Sequence, residues 1–141
     1  MLKKISIFLI CLLFLVSIAC KSVDIDAEQD TGAETVPAEF QNISVEEAED
    51  LINDHDIFLL DVRTEEEFSS GHIEEAINIP VGDLDQRLGK IPGNKKIIVY
   101  CRSGTRSRRA ADILIDNGFK QVYNMEGGII EWKNKGLSVV E

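Results

Sequence analysis

The segment Cys101-Arg102-Ser103-Gly104-Thr105-Arg106-Ser107 places a sulfur among residues that favour a thiolate. It follows the apolar run Ile97, Ile98, Val99, Tyr100 and precedes a helix-like stretch from Arg108 to Asn117. A free cysteine with a pKa of about 8.5 is mostly protonated at neutral pH, so nucleophilic work requires positive potential at the sulfur. Two sources are legible here. Unpaired amides and the dipole at a helix start stabilise an anion by roughly 0.3–1 kcal/mol in an exposed setting, and Arg102 and Arg106 add full charges. Gly104 permits a loop that curls its amides inward, while Ser103, Thr105 and Ser107 offer hydroxyls. A buried structural cysteine before a solvated basic helix is the bland alternative, but arginines at 102, 106, 108 and 109 are unusual in a chain of formal net charge −10. The chemistry implied is nucleophilic attack on an anionic substrate that donates or accepts sulfur.

Strand-like and helix-like segments alternate from Phe40 onward, which predicts an α/β fold with a mostly parallel sheet. Ser44 with Glu46 and Glu47 reads as a helix cap opening a helix through Ile52. Ile57 to Leu60 is a buried strand, Glu65 to Ser70 a short helix stopped at Gly71, and Ala76 to Ile79 a strand ended by Pro80. Leu84 to Leu88 reads as a short helix. Ile97 to Tyr100 has no polar interruption, as expected of a central strand covered on both faces. Val122 to Met125 is another strand and Ile129 to Trp132 begins the last helix. Ligands of open α/β sheets bind beyond the carboxyl ends of strands, where Cys101 stands.

Three blocks extend this pattern. Asp61-Val62-Arg63 leads through Glu67 and Phe68 to Gly71-His72-Ile73 and then to Ala76-Ile77-Asn78-Ile79-Pro80; the cysteine loop follows; and Gly118-Phe119, Val122, Gly127-Gly128 and Trp132 close the chain. In order and spacing these resemble the rhodanese-like sulfurtransferases. The resemblance implies a three-layer fold with a central, mostly parallel five-stranded sheet flanked by helices. It implies a sulfane sulfur moved from a donor such as thiosulfate to a thiol or cyanide through a Cys101 persulfide, with Arg102, Ser103, Gly104, Thr105, Arg106 and Ser107 binding the donor and the persulfide. The same fold serves phosphatases whose loop carries arginine at the sixth position after cysteine; here that position is Ser107 and the arginine comes one earlier. The shorter loop argues against phosphate. A persulfide carrier or redox module that discharges only to a protein partner is the alternative role, and a thiol oxidoreductase would need a partner's thiol. By resemblance Asp61 and Arg63 brace the scaffold, with Arg63 paired to Glu67 or another nearby acid. His72 is structural, since a thiolate held by amides and arginines needs no base, and Trp132 and Phe119 are core aromatics. His55, in a polar turn, is solvated. No histidine has a second ligand at zinc spacing, so neither a metal nor another cofactor is expected.

The amino terminus predicts export. Lys3 and Lys4 precede a nearly unbroken apolar run, Ile5 to Ala19, of signal-peptide length and short for a membrane span. Ser17-Ile18-Ala19-Cys20 resembles a bacterial lipobox, although Ser17 departs from the usual leucine; a conventionally cleaved signal or an uncleaved anchor are the competing readings. The organisation expected is a signal peptide over 1–19, an acidic flexible tether over 20–39 and a rhodanese-like domain over 40–141, the lipid on Cys20 anchoring the exported protein to a membrane of the bacterial cell envelope at its periplasmic or extracytoplasmic face. The tether would hold the domain on the order of 20–25 Å from that surface. Removal of Lys3 and Lys4 takes the formal charge from −10 to −12, which disfavours nucleic acid as a partner. Cys11 leaves with the signal and Cys20 carries lipid, so Cys101 is expected to be the free thiol of the mature protein. The expected partners are a small anionic sulfur donor, a thiol acceptor and the membrane, with a protein thiol as a further acceptor.

Overall fold

The computed structural model describes residues 39–53 and 56–141. The leader, most of the tether, Cys11, Cys20 and His55 lie outside the described residues. Five parallel strands form a single sheet in the order β1-β5-β4-β2-β3, where β1 is Gln41–Ile43, β2 Ile57–Asp61, β3 Ile77–Asn78, β4 Lys96–Tyr100 and β5 Val122–Met125. The helices are α1 (Val45–Ile52), α2 (Glu65–Ser69), α3 (Leu84–Arg87), α4 (Thr105–Asp116) and α5 (Gly128–Asn134), with a 3-10 turn over Leu88–Lys90. The α/β fold with a five-stranded parallel sheet is therefore as expected. Among the described residues no helix is long and apolar enough to cross a membrane.

The period of two in β4 builds the layers. Ile97, Val99 and Cys101 face one side with Leu60, Leu84, Ala110, Ala111 and Leu114. Ile98 and Tyr100 face the other with Leu59, Val45, Ala48, Ile129 and Trp132. A strand apolar at every position has a face for each layer, and each aliphatic side chain so buried contributes about 1.5–3 kcal/mol. Trp132 is buried, with its indole N–H donating to the Ser138 carbonyl, and Phe119 packs at the edge of the other cluster.

Local sequence sets the boundaries. Ser44 and Thr64 each accept from the amide three residues on, and the carboxylates of Glu47 and Glu67 accept in return from the cap amides, which fixes the starts of α1 and α2. Three expectations change. α4 begins at Thr105 rather than Arg108, because Gly104 at φ +101° is its cap and Arg106 of the loop already lies on its first turn. β3 shrinks to Ile77–Asn78, since Ala76 and Ile79 bury their side chains outside the ladder. β1 has no apolar run to announce it: only Ile43 of its three residues is buried, as an edge strand allows. Beyond the sheet, His72 and Val140 exchange backbone hydrogen bonds that tie the carboxyl-terminal segment to the domain.

Candidate active site

The sulfur is held by its own loop. Cys101, 1% exposed, leaves β4, and Gly104 donates its amide to Sγ at 3.1 Å. The positive φ that glycine allows turns this amide back on the sulfur three residues upstream. Ser107 is buried on the first turn of α4, and its single hydroxyl proton has two acceptors in reach, the Gly104 carbonyl at 3.0 Å and the sulfur. Burial pushes the Cys101 thiol up, but the Ser107 hydroxyl and the amides of Ser107, Ser103 and Gly104 outweigh it, and the net direction is below the ordinary thiol value. Among the influences that favour the thiolate, the amide and hydroxyl cradle leads.

The strand exit is clasped from the neighbouring element. Ile129 N–H donates to the Cys101 carbonyl at 2.9 Å and Ile130 N–H to the Arg102 carbonyl at 3.2 Å, so the first turn of α5 caps the start of the loop. This contact needs Gly128, at φ +59°: a Cβ there would lie 2.5 Å from the Cys101 carbonyl oxygen and 2.6 Å from the Arg102 carbonyl carbon. The Gly127-Gly128 pair stood in the sequence as part of the closing block, and its backbone contact with the cysteine became legible only in three dimensions.

The arginines divide. Arg106 forms a two-pronged pair with Glu67, at 2.6 and 2.8 Å, and the Arg106 guanidinium holds the Glu67 carboxyl down to about 2. Arg63 is therefore not paired to the Glu67 side chain. It grips Asp61, with Nη2 to Oδ2 at 2.6 Å, and donates to the backbone carbonyls of Glu67 and Gly71 at 3.1 and 2.9 Å. The alternative acid was the right one, because Asp61 lies two residues back at the end of the same strand and is wholly buried. Arg102, Arg108 and Arg109 are exposed. Of the residues expected to bind substrate, Gly104, Ser107 and the Ser103 amide meet the sulfur, Arg106 is held at the rim, and Arg102 and Thr105 face outward.

Tyr100 is a structural residue that the sequence left unassigned. Its hydroxyl accepts from the Ile73 amide at 3.2 Å, its ring lies 5.8 Å from the Arg63 guanidinium, and burial together with Asp61 pushes the phenol well above its ordinary value. His72 stacks on Phe68 at 3.7 Å between ring centres, with Nδ1 3.1 Å from the Phe68 carbonyl, which leaves it engaged in the scaffold. Two shallow cavities flank the loop. One of about 400 Å³ is lined by Ser103, Thr105, Arg108, Asn124 and Glu126; the other, of about 350 Å³, by Arg102, Glu67, Ile130 and Lys133 among others. Among the described residues no group of three or more acidic, histidine or cysteine side chains could hold a metal ion.

Comparison with known proteins agrees with this geometry. Residues 44–135 match the family model described as rhodanese-like domain. A protein of Allochromatium vinosum named sulfurtransferase is 38% identical over 90 residues, spanning 64% of this chain and 84% of that protein. A tRNA uridine(34) hydroxylase of Buchnera aphidicola is 35% identical over 108 residues, but there the chain spans 33% of the relative's length. A rhodanese-related protein of Thermoplasma volcanium superposes with a TM-score of 0.67 at 32% identity, covering 72% of this chain and 98% of that structure. With its matched segment running from the cap of α1 through the end of α5, and with a cysteine cradled at the exit of the central parallel strand, the chain belongs to the rhodanese-like domain family.

Proposed function

We propose that this protein transfers sulfane sulfur, taking it from thiosulfate or a similar anion and passing it to a thiol. The observation that carries the reading is the Gly104 amide on Cys101 Sγ at 3.1 Å, within a cradle that lowers the thiol's pKa. In the first half-reaction the Cys101 thiolate attacks the outer sulfur of thiosulfate. The new S–S bond forms as the old S–S bond breaks, its electron pair leaves with sulfite, and the enzyme retains a persulfide anion. The loop amides that stabilise the thiolate serve the terminal persulfide sulfur equally, since both carry one negative charge. In the second half-reaction an acceptor thiolate, or cyanide, attacks that terminal sulfur and restores the Cys101 thiolate. No external oxidant or cofactor enters the balance. Arg102 is free to draw in the dianion, whereas the charge of Arg106 is largely offset by Glu67.

We also propose that the domain works outside the cytoplasm. Lys3 and Lys4, the apolar run and Ala19-Cys20 support a lipid-anchored envelope protein tethered through residues 20–39. Purified mature protein is expected to form thiocyanate from thiosulfate and cyanide and to gain one sulfur in intact mass, and Cys101→Ser is expected to lower turnover on the order of a thousandfold or more. Absence of both adduct and turnover in folded wild-type protein would reject the enzyme reading. An adduct that forms but discharges only to a protein thiol would assign the carrier role instead. Mass spectrometry of protein from native membranes should find Cys20 as a lipidated amino terminus.

A further inference from the structure

Beside the loop, the cavity of about 350 Å³ joins Arg102, which also draws in the thiosulfate dianion, to an apolar surface and a lysine that the thiosulfate step does not use. Its charged lining includes Arg63, committed to Asp61, and one acid, Glu67, committed to Arg106; the cations left over are Arg102, the first residue after the nucleophile, and Lys133 on α5. Both are exposed, and neither has an ion-pair partner among the described residues. Lys135, two residues on, contrasts with Lys133, since it binds Glu46 at 2.6 Å. The floor is apolar: Ile129 is buried, while Ile130 is 42% exposed, one of the two large hydrophobics left open in the described residues. Lys133 lies three residues beyond Ile130 and four beyond Ile129 on α5, so it neighbours both on the helix surface. Because Ile129 and Ile130 bond the carbonyls of Cys101 and Arg102, that surface is fixed relative to the nucleophile. The far wall is Gly71, where Lys133 Nζ lies 3.7 Å from the place a Cβ would occupy, so the ammonium reaches across the cavity.

Two unpaired cations over exposed aliphatic carbon select an occupant with carboxylates and a short apolar stem. In a chain of net charge −10 such a spot also concentrates anions locally. Thiosulfate has no apolar part, and its reacting sulfur must reach the amide cradle. We propose that this cavity anchors the second substrate, and that the acceptor is a small thiol bearing carboxylates, held through Lys133 and Arg102 with its carbon chain on Ile130. This rests on the sulfurtransferase reading above. Anchored so, the acceptor's thiolate attacks the terminal sulfur of the Cys101 persulfide. The acceptor–sulfur bond forms, the Sγ–S bond breaks, its electron pair returns to Cys101, and the acceptor leaves as a persulfide.

The test compares two acceptors, mercaptosuccinate with two carboxylates and uncharged 2-mercaptoethanol, at saturating thiosulfate, with cyanide as a control for the first half-reaction. Wild-type protein is expected to prefer mercaptosuccinate in kcat/KM, and Lys133→Ala to erode that preference roughly fivefold through KM, as loss of one charge-assisted contact implies. Lys133→Arg should restore it, and added salt should weaken it. An unchanged preference in Lys133→Ala, or a wild-type enzyme that favours the neutral thiol, overturns the acceptor site while leaving cyanide turnover and the parent reading in place. Failure of cyanide turnover itself overturns both.

Discussion

Two neighbouring strands end at the same level of the sheet and treat their polar residues in opposite ways. β2 and β4 pair in parallel with Asp61 opposite Tyr100, and each is followed by an arginine-bearing turn. At the exit of β2 everything is satisfied internally: Asp61 receives Arg63, Arg63 binds the Glu67 and Gly71 carbonyls, and the Asn78 carboxamide donates to the carbonyls of Asp61 and Arg63 at 3.0 Å. At the exit of β4 the amides converge on one sulfur, and Arg102 is left open. On the proposed function, reactivity comes from what is left unsaturated, and the saturated turn beside it supplies the rigidity. The contrast generates three predictions of decreasing size.

The largest effect belongs to the saturated turn. Arg63 is 5% exposed and Asp61 not at all, so removing one partner strands a buried charge. Such losses cost about 3–5 kcal/mol. Arg63→Ala should therefore lower stability in denaturant titration by that amount, although among the described residues its side-chain hydrogen bonds and ion pair go to Asp61, Glu67 and Gly71 and not to the cysteine loop. If the variant loses under about 1 kcal/mol, the β2 exit is no brace and the comparison fails. A stable Arg63→Ala that had lost turnover would instead reassign Arg63 to the chemistry.

An intermediate effect should appear at the joint between scaffold and site. Gly128→Ala drives a Cβ into the backbone of residues 101 and 102 at a positive φ, where both strain and overlap oppose it. We expect a loss of about 2 kcal/mol in stability, with a larger fractional loss in persulfide formation than Arg63→Ala shows at equal folded fraction. Equal losses would mean that the clasp serves folding only. This position also shows where sequence reading reached its limit. The cysteine, its loop and the α/β alternation were legible because local chemistry specifies them: an uninterrupted apolar strand, a glycine able to take positive φ, and cap residues at fixed offsets. Gly128, Tyr100 and the partner of Arg106 were not, since each acts across more than twenty residues of chain through contacts that carry no local pattern. β1 escaped because an edge strand with one buried residue has no periodicity to detect. The choice of Asp61 over Glu67 for Arg63 turned on which acid the fold buries, and that is a property of the sheet.

The smallest effect lies between the two turns, where Glu67 on α2 reaches Arg106 on the reactive loop. Both side chains are about one-third exposed, so the pair is screened and its removal by Glu67→Gln should cost about 1 kcal/mol at pH 7, well short of the buried pair. Its pH signature is distinctive. The Arg106 guanidinium, with lesser help from the Thr64 amide and Arg63, lowers the Glu67 carboxyl from 4.5 to about 2. A carboxyl depressed in the folded state binds protons less readily there than in the unfolded chain, so its contribution is complete above about pH 5 and drains away as the pH falls toward 2. Glutamine cannot titrate. The stability gap between wild type and Glu67→Gln should accordingly be constant from about pH 6 to 8 and shrink steadily below pH 4.5, measured by urea midpoints across that range. A gap that persisted undiminished at pH 3 would show that Glu67 acts through packing and not through its charge. The outer pair would then belong with the inert brace of β2, and Arg106 would have to be counted as a free cation of the loop.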